Sequence, residues 1–114
     1  MSDCLFCAIV DGKLKANLVY QDDAVVAFKD IAPKAPVHIL IIPRKHLVSV
    51  SDIAEHDRAL IGQIFQVAAK LAREQGIAES GYRVVVNSGA DAGQSVFHLH
   101  YHLLGGRQMS WPPG

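Results

Sequence analysis

His98-Leu99-His100-Tyr101-His102-Leu103-Leu104-Gly105-Gly106 places an imidazole at every second position, then an apolar pair and two glycines. In an extended strand alternate side chains share a face. His98, His100 and His102 are therefore expected on one side, and Leu99, Tyr101 and Leu103 on the other. The spacing predicts a strand over 97–104 with one apolar face and one chemical face. Half of the six histidines lie in this stretch. Imidazole acts near neutral pH as a base, a nucleophile, a charged donor or a metal ligand. Residues two apart on a strand are about 6.6 Å apart, and four apart about 13 Å. The three rings cannot all reach one small atom, so at least one is expected to have a separate task.

Working outward, Cys4 to Asp11 reads as a short helix ended by Gly12. Leu18 to Gln21 and Ala24 to Phe28 read as strands joined at Asp22-Asp23, and Val37 to Ile42 is a third, closed by Pro43. The prolines of Ile31-Ala32-Pro33-Lys34-Ala35-Pro36 mark a loop. Asp52 and Glu55 resemble a capping signal, and Leu60, Ile61, Ile64, Phe65, Ala68, Leu71 and Ala72 follow helical spacing, so a helix is expected over 55–75. Tyr82 to Val86 is the fourth strand. Such blocks favour an α+β fold: a five-stranded, mostly antiparallel sheet covered by helix on one face, with one long and one short helix. Residues 1–114 read as a single domain whose Gly- and Pro-rich tail, 105–114, carries the only tryptophan, Trp111.

The 114 residues suit one compact domain, and half of them are apolar. Eleven basic residues balance eleven acidic ones, so no overall field draws the chain to nucleic acid or to a membrane. The start, Met1-Ser2-Asp3-Cys4, shows no secretory signal, and Val37–Ile42 is too short to span a bilayer. A cytoplasmic setting is expected. There, Cys4 and Cys7 point to a metal or redox role rather than a structural disulfide.

The loop before the histidines suits an anion. Asn87-Ser88-Gly89-Ala90-Asp91-Ala92-Gly93-Gln94-Ser95 has two glycines that let backbone N–H groups approach a phosphate, and Ser95 can donate to an oxygen or a leaving group. Together with the imidazoles this suggests attack on phosphorus, with donors stabilising the developing charge. The competing reading makes the whole triplet a metal site.

At these residues the chain resembles the histidine-triad (HIT) superfamily, whose motif is His-x-His-x-His followed by two apolar residues. Further segments are similar to the Hint branch: Asp30-Ile31, Ala35-Pro36-Val37-His38, Gly81-Tyr82-Arg83, Val85-Val86-Asn87, Gly93-Gln94-Ser95-Val96, and Leu104 through Gly114. The resemblance implies a bacterial-type Hint protein with a HIT-like fold, hydrolysing the P–N bond of purine nucleoside phosphoramidates, of adenosine phosphoramidate or lysyl-AMP type. His100 would be the nucleophile and form a nucleotidyl-histidine, His102 would contact the phosphate, His38 would support the nucleophile through a relay, and Ser95 would donate toward the leaving amine. Asp30 would hold the ribose, with Ile31, Leu5, Phe6, Ile9, Phe28 and Leu40 around the base; Asn87 with Gly93, Gln94 and Ser95 would hold the phosphate. AMP or GMP would be ligands, with no organic cofactor. A homodimer is implied, its tail reaching the neighbouring subunit's site.

Cys4-Leu5-Phe6-Cys7 can bring both sulfurs to one metal if helical. By resemblance to relatives that include galactose-phosphate uridylyltransferases, His46 and His98 would complete a zinc site. That answers the spacing problem: His98 would turn to zinc while His100 and His102 serve the phosphate. Animal Hint proteins lack the cysteine pair, a departure from the best-matching branch. A reduced pair without metal, or a redox pair, are the other readings. At the level of function, the enzyme competes with a nucleotide-binding regulatory module acting through protein partners, and with a zinc protein whose histidine strand is itself the metal site.

Overall fold

Continuous apolar runs build a sheet buried from both sides at its centre. The computed structural model describes residues 3–114. The short helix α1 is Leu5–Val10, the strands are β1 Leu18–Gln21, β2 Val25–Lys29, β3 Val37–Pro43, β4 Tyr82–Val86 and β5 Tyr101–Gly105, and the long helix α2 is Arg58–Glu74. The strand order is β1-β2-β3-β5-β4, and every pairing is antiparallel. The α+β architecture expected from the sequence is the one found.

Period-2 alternation sorts the side chains. Val25 and Ala27 on β2, Ile39 and Ile41 on β3, and Tyr101 and Leu103 on β5 pack with Ile64, Val67, Ala68, Leu71 and Ala72 of α2. Val26, Phe28, Leu40 and Ile42 face the other way and pack with Phe6 and Ile9 of α1. The sheet is therefore covered on both faces, not one: α2 spans the first and α1 covers part of the second. That is why β2 and β3 read as apolar runs rather than as alternating strands.

Three boundaries differ from expectation. The helix expected from Glu55 begins as a 3-10 turn over Glu55–Asp57, and α2 starts at Arg58. The Asp52–Glu55 pair does not cap it: Asp52 accepts from the Val48 N–H, while the Asp57 carboxylate accepts from Ala54 N–H and pairs with Lys45 at 2.6 Å. The last strand begins at Tyr101, not Phe97. Its partner β3 ends at Pro43, which has no N–H, and the Pro43 carbonyl is taken by the His98 ring. The alternation of faces nonetheless persists through 98–100, because Leu99 joins the α2-side core with Tyr101 and Leu103. Gly105 is required by a close approach: a Cβ there would lie 2.5 Å from Ile77 Cδ1. The reading of the first residues as lacking a signal falls partly on Met1 and Ser2, outside the described residues. No helix among the described residues is long and apolar enough to cross a membrane.

Candidate functional site

Register lays a row of side chains across the sheet: Phe28 on β2 opposes Leu40 on β3, and Leu40 opposes His102 on β5. Strands about 4.8 Å apart make this an apolar floor about 10 Å wide that ends at an imidazole. Leu5 and Phe6 of α1 wall it, and the result is a cleft of about 350 Å³, within the range of roughly 300–1,000 Å³ for small-molecule sites. Asp30 and Ile31 from the β2–β3 loop, Ser95, His100 and His102 also line it. A second recess of about 320 Å³ shares Asp30 and His102 with the first and adds Lys34, His38 and Asn87. A depression of about 400 Å³ between Tyr20 and α2 is larger but is lined by no histidine, cysteine or carboxylate.

Hydrogen bonds set the ring tautomers. His100, only 6% exposed, donates from Nδ1 to the His98 carbonyl at 2.7 Å. Its Nε2 therefore keeps the lone pair. The Lys34 backbone N–H donates to His38 Nδ1 at 3.0 Å, so His38 carries its proton on Nε2 and donates to His102 Nδ1 at 2.9 Å. The His102 proton is then on Nε2, available as a donor. Asp30 Oδ2 lies 3.4 Å from His38 Nε2 and its Oδ1 accepts from Ala32 N–H. Thus His38 is hydrogen-bonded to His102 and not directly to His100.

Burial, aided by His100 and His38, pushes His102 down to about 4. Burial also lowers His38, against the opposing pull of Asp30. Both rings are neutral at pH 7. Between a folded value of about 4 and the ordinary 6.5, the unfolded chain binds the extra proton, so stability rises with pH across that window and the contribution is complete above it. Asp22 and Asp57 sit below the ordinary 3.8, so theirs is lost only at lower pH. Thermal unfolding is expected at lower temperature at about pH 4.5 than at pH 7, with a smaller difference in His102→Gln. An identical pH slope in that variant would contradict the assignment.

The other expected residues are placed as follows. Ile9 is one helical turn beyond Phe6 and packed into the core. Gln94 is buried and organises the loop, accepting from Gly89 N–H and donating to the Val48 and Val96 carbonyls. Gly93 has φ +86°, open to glycine at little strain. Ser95 is exposed at the cleft, and Asn87 lines the second recess only. Sequence reasoning missed Lys15, Ala16, Lys29 and Val96 as cleft residues. Lys15 and Ala16 arrive because the Lys29 N–H donates to the Asn17 carbonyl beside β2, and no local signal marks them.

A second constellation lies behind the first. Donor atoms of Cys4, Cys7, His46 and His98 fall within 4.8 Å of one another. Sγ of Cys4 is 3.4 Å and Sγ of Cys7 3.6 Å from His98 Nδ1; Cys7 Sγ and His98 Nδ1 each lie 3.2 Å from His46 Nδ1. Around one tetrahedral zinc, sulfur and nitrogen neighbours sit about 3.5 Å apart and two nitrogens about 3.3 Å apart. The donor set fits. His98 Nε2 donates to the Pro43 carbonyl at 2.8 Å, which turns the Nδ1 lone pair toward the sulfurs. Burial holds His98 below its ordinary value, keeping the ring neutral as a ligand must be.

The triplet thus divides as the spacing argument requires, with His98 in this cluster and the His100 and His102 rings 5.0 Å apart in the cleft. Residues 11–109 match the HIT domain model. The chain belongs to the HIT domain family. A HIT-like protein of Synechocystis, itself uncharacterised, is 47% identical over 112 residues, covering 98% of this chain and 97% of that one. A solved HIT family hydrolase from Legionella pneumophila superposes with a TM-score of 0.97 at 49% identity, over 98% of this chain and 100% of the other. A histidine triad nucleotide-binding protein from Candida albicans aligns with a TM-score of 0.83 at 30% identity, over 96% and 83%.

Proposed function

We propose that this HIT protein hydrolyses purine nucleoside phosphoramidates through a nucleotidyl-histidine at His100. The observation that carries the reading is the His100 ring: Nδ1–H is tied to the His98 carbonyl and the ring lines an apolar cleft beside His102. A purine fits the floor of Phe28 and Leu40 and the wall of Leu5 and Phe6. Asp30 accepts from the ribose hydroxyls. The neutral His102 donates from Nε2 to a phosphate oxygen.

The His100 Nε2 lone pair forms a bond to phosphorus as the P–N bond breaks, and the amine leaves with a proton from solvent relayed by the Ser95 hydroxyl, which gives one proton as it takes another. The charge placed on the imidazole is shared with the His98 carbonyl through Nδ1–H. Water then attacks phosphorus as the P–His100 bond breaks, releasing the nucleotide, returning one proton to solvent and restoring His100. The names borne by the Legionella and Candida relatives, hydrolase and nucleotide-binding protein, agree with this reading. Incubation with adenosine phosphoramidate, followed by acid quench and mass spectrometry, is expected to reveal adenylyl on His100. Folded protein giving neither turnover nor adduct would favour a regulatory nucleotide-binding module.

The same reading assigns zinc to Cys4, Cys7, His46 and His98, where it would supply structural closure and no reaction step. It also makes the protein a cytoplasmic homodimer. Strand β4 is an open sheet edge, its Val84, Val85 and Val86 are only half-buried, and Trp111 is 81% exposed. Sedimentation is expected at twice the 12.4 kDa chain mass; a species of one chain mass would remove the dimer.

A further inference from the structure

Six residues make a helix too short to hold itself, since isolated helices below about 12–15 residues are marginal. Yet α1 supplies Leu5 and Phe6 to the cleft. These two residues are the x-x of Cys4-Leu5-Phe6-Cys7, and the sulfurs on either side reach His98 and His46. Phe6 meets three rings edge-on: Phe28 at 5.4 Å, His98 at 6.0 Å and His100 at 5.1 Å between centroids. His98 is a second link. Its ring belongs to the cluster, while its carbonyl accepts from His100 Nδ1.

We infer that the Cys4–Cys7–His46–His98 cluster is the fastener of the nucleoside cleft: a metal ion held there seats α1, so that Leu5 and Phe6 wall the cleft and Phe6 braces the His100 ring. The inference rests on the nucleotide and zinc readings above and adds a coupling between them. No metal ligand's side chain lines the cleft, so the metal acts on nucleotide affinity only through position. Cys4 and Cys7 are positioning residues in this scheme. Without the ion, the four donor atoms are held to one another only by thiol–imidazole contacts of 3.2–3.6 Å, weaker than ligation to a metal, and α1 keeps those contacts and the packing of Phe6, Ile9 and Val10 on the sheet.

The test compares zinc-loaded and chelated protein by metal analysis, AMP titration calorimetry and amide hydrogen exchange. Chelation is expected to weaken AMP binding by about tenfold or more. It should speed exchange over residues 5–10 while α2 and β3 stay protected, and zinc should restore both. His46→Ala, outside the cleft, is expected to behave as the chelated protein does. Phe6→Ala keeps all four ligands; it should retain zinc, bind AMP weakly and lose its response to chelator. Bound zinc with unchanged AMP affinity and exchange on removal overturns the coupling and leaves the zinc reading standing. Protein that takes up no zinc overturns both. Zinc-loaded protein that binds no AMP overturns the nucleotide reading, and the coupling with it.

Discussion

Replacing His100 with alanine is expected to lower turnover of adenosine phosphoramidate by about four orders of magnitude or more, the scale seen when a covalent nucleophile is deleted. The protein should stay folded and bind AMP, because Phe28, Leu40, Leu5 and Asp30 remain in the cleft. The loss should fall on kcat. No adenylyl adduct should form. The neighbouring ring cannot substitute, since His102 Nδ1 is occupied by His38 and its remaining nitrogen carries a proton. Single-turnover kinetics with calorimetric AMP binding checks this, and turnover within tenfold of the parent would exclude His100 as nucleophile.

His102→Ala is expected to cost about 10²–10³-fold in kcat/KM, the usual worth of one donor aimed at a developing oxyanion. It also strips the buried His38 Nε2–H of its 2.9 Å acceptor, a penalty of roughly 1–3 kcal/mol in stability. His102→Gln should recover part of both, because an amide can accept from His38 and donate to phosphate. A His102→Ala enzyme with parental kcat/KM would show that the phosphate finds its donors elsewhere, for instance on the 87–96 loop.

Much of the fold was legible because it depends on local pattern. The apolar run Val37–Ile42 and the helical spacing from Leu60 to Ala72 both follow from which residues are apolar. The start of β5 was not legible from its own residues, since the ladder ends where Pro43 on another strand has no N–H. Nor was the 3-10 turn that leads into α2, because the Asp57 carboxylate that closes it on the Ala54 N–H is held by Lys45, twelve positions back and beyond any local pattern. Within the site, the sequence singled out His38, Asp30, Ser95 and the cysteine pair, but it could not pair His38 with His102. It had no means of bringing Lys15 and Ala16 to the cleft.

The chain's order of residues alone determined that three imidazoles face away from Leu99, Tyr101 and Leu103, because side chains alternate wherever the backbone is extended. It also determined that one imidazole must part from the others, because their spacing exceeds the reach of a single atom. Only the tertiary structure decided what each ring does. A ring's role follows from which nitrogen holds the proton, and that is set by groups remote in sequence: the Pro43 carbonyl for His98, and His38, sixty-four positions away, for His102.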